Sequence, residues 1–480
     1  MTQKSISNAT KWSVLAEITA KIAAPIVNMV LARLLTPEAY GVVASITIIT
    51  SFADIFTDAG FQKYVIQHEY KSDNELDSDS NIAFTANLLM SSVIYFLIFL
   101  FRKQLAVAVG NPNAANGLAV AALAVLCTSF SSIVIARFRR DLDFRPLFFV
   151  RLGSSFIPLI VTVPLAIFLR SYWALVIGTV VQQAFIAVMV CILSKYKPKI
   201  HFDIAVFRRM LAFSAWNLCE TLSIWFAGQA NIFIVARKLD IYYLGLYRTG
   251  MTTINSYMAL FTSAITPVLF SSLSRVQNDR EKYNWTFNRF QKMLASFVVP
   301  MGVGIFLYKE LAVRILLGNT WLEVTEFMGL WAFVSSITIV FSNMASEVYR
   351  SMGKPKISFY IQLAYLIIYI PIIYISAQKG FNTLSIVSCL IRLIPVVVDL
   401  IALDRLFKIQ IKVVLQNVGY VLFATLCMSM IALVVHGPEG SIIRQFLTIG
   451  LCILAYTVIL MLNKKFRTII ISIFKRKEEQ

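Results

Sequence analysis

The sequence predicts an all-α polytopic membrane protein of about fourteen spanning helices. Three observations lead there. Of 480 residues, 58% are hydrophobic and only 14% charged, and the mean hydropathy is +0.73. A soluble domain carries about 25% charge, so water is a poor solvent for much of this surface. Apolar runs of spanning length recur: "IAFTANLLMSSVIYFLIFLF" (82–101) and "VVLQNVGYVLFATLCMSMIALVV" (413–435) hold no charge, and each meets the roughly 20-residue requirement of a bilayer. Finally, "ARLLTPEAYG" (32–41) returns as "ARKLDIYYLG" (236–245), each time closing an apolar segment.

The segments follow in order. The first (12–35) carries Glu17, Lys21, Asn28 and Arg33, and the second (41–66) carries Asp54 and Asp58. Arginine suits the dipole at a helix C-terminus. Thr36 is a capping residue, and Pro37 fits the first helical position. The third (81–101) is nearly clean, and the fourth (117–137) ends in the basic run "RFRRDLDFR". The fifth (149–169) holds Pro158 and Pro164; "KYKPK" closes the sixth (172–194). The seventh (210–236) is polar, with Asn217, Glu220, Gln229, Asn231 and Arg237 at its end. The eighth (243–270) holds Arg248 and Asn255. The ninth (290–308) contains Pro300, the tenth (325–349) precedes "RSMGKPK", and the eleventh (358–377) contains Pro371. The twelfth (381–403) holds Arg392, Pro395 and Asp399, and the last two (413–435, 443–462) are nearly clean. The acidic stretch "HEYKSDNELDSDSN" (68–81) reads as a solvated loop, with Asp79 or Ser80 capping the helix that follows.

Charge placement orients these segments. The net charge is +19, but the basic residues flank apolar runs, which argues for topology and against a nucleic-acid partner. About thirty of the 44 Lys and Arg residues fall on the side of the two termini, in "RFRRDLDFR", "KYKPK", "RVQNDREK", "RSMGKPK", "DRLFKIQIK" and the tail "KRK". The positive-inside rule then puts both termini in the cytoplasm. No signal peptide is evident, since Glu17 and Lys21 interrupt the first apolar stretch.

The repeat aligns Arg33 with Arg237, Leu35 with Leu239 and Gly41 with Gly245, an offset of 204 residues. A six-helix repeat keeps both copies in one orientation, related by a pseudo-two-fold axis along the membrane normal, with a central site between them. The domains expected are an N-lobe (1–200), a C-lobe (201–408) and a terminal helix pair with a basic tail (409–480).

Candidate functional residues are the intramembrane polar groups. A charge at the bilayer centre costs about 2.5–3.5 kcal/mol or more, so such residues face a bundle interior or a watery cavity. Arg248 has no acidic residue at helical spacing and is the leading candidate for an anionic substrate, because a guanidinium gives bidentate bonds to phosphate. Lys21 and Glu17 share a helix face, as a self-neutralising pair or a cavity wall. Arg33 and Arg237 sit at helix ends, where snorkelling explains them as well as substrate contact does. Asn217, Glu220 and Asn255 complete the expected cavity. Asp54 and Asp58 share a face and are candidates for ion coupling. Arg392 and Asp399, two turns apart, read as stabilising their own helix.

Other chemistries find no support. The six cysteines lie singly in apolar segments and the three histidines (His68, His201, His436) near segment ends, so no metal, cofactor, disulfide framework or catalytic histidine is expected. No nucleotide motif or convergent acid/base cluster appears, and the longest extracytoplasmic linkers are about fifteen residues, which disfavours an enzyme.

Three stretches carry a family resemblance: "LARLLTPEAYGVVA" (31–44), "FADIFTDAGFQKYVIQ" (52–67) and "RRDLDFRPL" (139–147). They resemble the polysaccharide transporter family, Wzx-like oligosaccharide flippases of the multidrug/oligosaccharidyl-lipid/polysaccharide (MOP) superfamily. The resemblance implies a V-shaped, MATE-like transporter in the bacterial inner membrane, working by alternating access. The implied cargo is an undecaprenyl-diphosphate-linked oligosaccharide, and membrane lipids, a polymerase and other polysaccharide-export proteins are its implied partners. The alternatives are a drug/cation antiporter or peptidoglycan-precursor flippase of the same fold, and, from another class, a membrane polymerase, ligase or glycosyltransferase of the same pathway.

Overall fold

A computed structural model describes residues 23–58, 60–435, 441–463 and 466–467. The described secondary structure is entirely helical. The chain divides into two compact units, Met1–Thr249 and Gly250–Gln480.

In the first unit the helices are α1 (Ala23–Leu34), α2 (Pro37–Asp58), α3 (Phe61–Gln67), α4 (Asp73–Leu100), α5 (Arg102–Ala108), α6 (Ala115–Ala121), α7 (Leu123–Arg140), α8 (Phe144–Ile157), α9 (Val163–Leu169), α10 (Trp173–Leu193) and α11 (Ile204–Lys238). α12 (Ile241–Arg275) begins here and runs on into the second unit. The helix starts follow the sequence. Pro37 opens α2, where a missing N–H is no loss. Asp203 accepts from the amides of Ala205 and Val206 at the start of α11, and Asp240 accepts from Tyr242 N–H at 3.1 Å at the start of α12.

The acidic stretch 68–81 is not the loop expected. α4 begins at Asp73, capped by Ser72, whose Oγ accepts from Glu75 N–H, while the Glu75 carboxylate accepts from Lys71 N–H at 2.9 Å. That is a close relative of the capping box. Asp79 and Ser80 are buried inside the helix and do not cap it. Two of the five carboxylates in the stretch find cations, which offsets the charge repulsion: Asp77 meets Arg137 at 2.6 Å and Asp79 meets Arg209 at 3.2 Å.

A core of Phe61, Tyr64, Val65, Ile82 and Ile133 knits α3, α4 and α7 together. Arg140 seals its edge, its Nη1 donating to the carbonyls of Val65, Ile66 and His68 at the end of α3.

The second unit contains α13 (Arg280–Leu307), α14 (Lys309–Leu316), α15 (Thr325–Thr338), α16 (Met344–Ser351), α17 (Pro355–Gln378), α18 (Phe381–Leu390), α19 (Leu393–Phe407), α20 (Ile411–Val434) and α21 (Ile442–Leu462). A polar pin joins α13 and α20: Asn417 Nδ2 donates to Asn288 Oδ1 at 2.7 Å and to Gln291 Oε1 at 2.9 Å. Tyr456 of α21 donates to Ser296 O at 2.8 Å. Apolar packing of Val418, Val421, Ala424, Cys452 and Leu460 fills the space around these bonds.

Among the described residues, twelve helical stretches are long and apolar enough to cross a membrane. Large apolar side chains stand exposed on their outer faces, as at Phe168 (83%) and Ile443 (75%), as a bilayer solvent requires. Of the fourteen expected segments, the two outside this set are the first and the seventh. The first is described only from Ala23, and the seventh is α11, the segment rich in polar residues.

Candidate functional site

The two copies of the repeated decapeptide touch. Both copies, with the start of α12, lie in the first unit. A Cβ on Gly41 would stand 2.0 Å from the carbonyl oxygen of Ile241, and a Cβ on Gly245 would stand 1.8 Å from that of Pro37. Shifted by the repeat offset, Pro37 becomes Ile241 and Gly41 becomes Gly245. Each contact is therefore the image of the other, the self-complementary pattern of a two-fold interface. Only glycine lets α2 and α12 approach so closely. Beside this crossing, Gly110 adopts φ +76° with its Cα against Ala236 O, and Arg237 Nη1 donates to Val107 O at 2.9 Å.

A polar cavity of about 340 Å³ lies in the second unit. Asn255, Ser335, Asn343, Gln362, Tyr365 and Arg392 are among its walls, drawn from five helical segments. Two breaks in helical regularity shape it. Residues Ile339–Asn343 form a π-helical turn between α15 and α16, a feature frequent at functional sites. Between α18 and α19 the helix is interrupted at Ile391 and Arg392; Pro395 has no N–H for the Ile391 carbonyl, which accounts for the break. Irregular backbone at membrane depth is tolerated where it is buried in protein or lines a cavity.

Arg392 is held firmly. Its Nη1 donates to Ser335 Oγ at 2.9 Å, and its guanidinium lies 3.9 Å from the ring centre of Trp331. Trp331 Nε1 in turn donates to Asn255 Oδ1 at 3.0 Å. No carboxylate is among the lining residues described. Asp399, the expected helix partner of Arg392, is instead buried and accepts from Tyr349 Oη at 2.8 Å. The cavity thus offers one cation, three amides and several hydroxyls, a set able to bind an anionic, hydroxyl-rich group.

A second cavity in this unit, about 690 Å³, has the opposite chemistry. Phe297, Met301, Ile305, Met428 and Ile453 are among its mostly apolar walls, contributed largely by α13, α14, α20 and α21. It suits a hydrocarbon chain.

The sequence-predicted residues are distributed as follows. Asn255 lines the polar cavity. Arg248 is half-buried on α12, seven residues before Asn255 and so on the same helical stripe. Arg33 is exposed at the end of α1, Arg237 is exposed and caps α5, and Asp54 is exposed on α2. Glu17 and Lys21 lie outside the described residues, as do the side chains of Asn217, Glu220 and Asp58. Sequence reasoning passed over Gln362, Tyr365 and Asn343 and gave Arg392 a structural role. The signal available was Pro395 just beyond an intramembrane arginine.

Residues 30–326 match the profile of a family described as "Polysaccharide biosynthesis protein". The chain belongs to that family. Among its relatives is the lipopolysaccharide biosynthesis protein WzxC of Escherichia coli K12, 23% identical over 381 residues, covering 79% of this chain and 76% of WzxC. Among solved structures, the lipid II flippase MurJ in an inward closed conformation superposes with a TM-score of 0.77 at 16% identity, covering 94% of this chain and 98% of MurJ. An inward-facing multidrug resistance MATE family transporter of the MOP superfamily superposes at 0.57 with 11% identity, covering 83% and 96% of the two chains. The likeness to Wzx-like transporters and to the MOP fold is thereby borne out. This family member is a multi-pass protein of the bacterial inner membrane, with a role in transport for polysaccharide biosynthesis.

Proposed function

We propose that this family member is a flippase. It carries undecaprenyl-diphosphate-linked oligosaccharide repeat units to the periplasmic leaflet by alternating access, for exopolysaccharide, O-antigen or capsule-type export. The observation that carries the reading is the pair of cavities in the second unit. One is polar with a lone lining arginine and no described lining carboxylate, and the other is apolar and long-chain in character. A lipid-linked diphosphosugar needs both environments. A cation antiporter needs a carboxylate facing its cargo, which is why the polar cavity favours an anionic substrate over a cationic drug.

In this reading Arg392 and Arg248 meet the negative charge, and Asn255, Asn343 and Gln362 bond sugar hydroxyls. Lys21, Glu17, Asn217, Glu220, Arg33 and Arg237 are proposed as further contributors to cargo binding, on the strength of their intramembrane polarity alone. The reading includes fourteen spanning helices, two six-helix lobes, two further helices and cytoplasmic termini. A polymerase on the far side of the membrane would receive the cargo. No enzymatic step is required.

Deleting the gene is expected to leave lipid-linked repeat units in the inner leaflet and remove surface polymer. Arg392→Gln, at normal membrane abundance, should lower export about tenfold, the equivalent of one charge-assisted hydrogen bond. Normal polymer from the deletion strain in a background lacking other flippases would end the proposal. Asp54 and Asp58 are assigned to coupling: vesicle transport driven by a sodium or proton gradient should be lost in the Asp54→Asn/Asp58→Asn protein. Full gradient-driven transport by that variant would remove them from the mechanism.

A further inference from the structure

The segment 194–203, between α10 and α11, has a pattern the flippase reading does not use. It is non-helical, and its sequence, "SKYKPKIHFD", alternates. Lys195, Lys197, Lys199 and His201 occupy one parity, and Tyr196, Pro198, Ile200 and Phe202 the other. In an extended chain these parities point to opposite sides. The structure follows this pattern except at Tyr196, which turns back onto α4 and lines the cavity with the odd-numbered residues. Lys195, Lys197, Lys199 and His201 line a cavity of about 510 Å³ against Asn74, Asp77, Ser78 and Asn81, which share one face of the first turns of α4. Ile200 is 81% exposed and Phe202 46% exposed, and Ile204 beyond them is 65% exposed.

The segment is pinned. Asn81 Oδ1 accepts from Tyr196 Oη at 2.7 Å and from Lys199 N–H at 2.9 Å. His201 N–H donates to Thr85 Oγ1 at 3.0 Å, one helical turn further along α4. Arg137 lies over the Tyr196 ring, 4.7 Å from its centre. Burial pushes the Tyr196 phenol above its ordinary pKa, so it remains a donor.

The charge balance is one-sided. Asp77, the carboxylate of the lining, is already engaged by Arg137 at 2.6 Å. Asp203 is taken up by the amides at the start of α11. Lys197 Nζ donates to Cys191 O at 2.7 Å and keeps two further protons to give. Among the described residues no ion pair neutralises Lys195, Lys197 or Lys199. A cationic hollow beside exposed apolar side chains, at the ends of two long helices, suits a lipid whose headgroup is anionic and whose tails lie in the adjoining leaflet.

We propose that the cavity between residues 194–203 and α4 binds the headgroup phosphate of an anionic membrane phospholipid, with Lys195, Lys197 and Lys199 as its cations and Ile200, Phe202 and Ile204 against the acyl region. The site rests on the membrane reading of the helices and not on the cargo, so a failed export assay leaves it standing.

The test uses the full-length protein in a neutral detergent, titrated by calorimetry with dioctanoyl-phosphatidylglycerol, dioctanoyl-phosphatidylcholine, farnesyl diphosphate and inorganic phosphate. Phosphatidylglycerol should bind about tenfold more tightly than phosphatidylcholine, and K195Q/K197Q/K199Q should erase that preference, while K195R/K197R/K199R keeps it. Equal affinity for the two phospholipids overturns the site, and so does an unchanged preference in the glutamine variant. Farnesyl diphosphate binding more tightly than phosphatidylglycerol would overturn the phospholipid assignment in favour of a prenyl-diphosphate headgroup. Displacement by equimolar inorganic phosphate would overturn it in favour of a free anion.

Discussion

The two copies of the decapeptide have kept the closing glycine and changed all five residues between Leu35 and Gly41. Thr36-Pro37 in the first copy stands where Asp240-Ile241 stands in the second, yet both begin a long helix. Many residues can start a helix. No other residue can replace a glycine whose Cα lies against a neighbour's carbonyl oxygen. The difference between the copies therefore separates what the crossing of α2 and α12 demands from what it merely permits.

Substitutions can break the comparison at its firmest point first. Gly245→Ala and Gly41→Ala each place a methyl inside a backbone carbonyl, so each should cost about 3 kcal/mol, the upper end for overpacking. Thermal unfolding in detergent would register the loss, and equal losses from the two variants would sharpen the two-fold reading. If either variant keeps wild-type stability, the close approach is not what holds the glycine. Gly110→Ala should cost about 1–3 kcal/mol, since it meets both a positive φ and the carbonyl of Ala236. Arg237→Ala should cost about 1 kcal/mol, one exposed hydrogen bond to Val107 O. A loss of export from Arg237→Ala at unchanged stability would move Arg237 from the helix end to the cargo.

Most of the helical architecture was legible because spanning helices carry their own signal: length, apolarity and flanking charge. The boundaries were not. The expected third segment began at 81, whereas α4 begins at Asp73. Two carboxylates of the acidic turn that hid its start, Asp77 and Asp79, are paired with Arg137 and Arg209, which lie far away in sequence. The polar cavity was legible only at Asn255. Arg392 was noticed, but helical spacing offered Asp399 as its partner, whereas Ser335 and Trp331 hold it in the fold. A cavity assembled from five segments has no periodicity for a single sequence to reveal. Gln362 and Tyr365 lie in the eleventh segment, whose readable features are its apolarity and Pro371.

Arg140 has a consequence for how membrane topology is mapped. Its run, "RFRRDLDFR", is the kind of cluster whose charges are neutralised one by one to learn which side of the membrane a loop occupies. Arg140 also closes three carbonyls at the end of α3, and Arg137 holds Asp77. Removing either would loosen the α3–α4–α7 junction whichever side the loop faces. A reporter fused downstream would then record degradation in the guise of inversion.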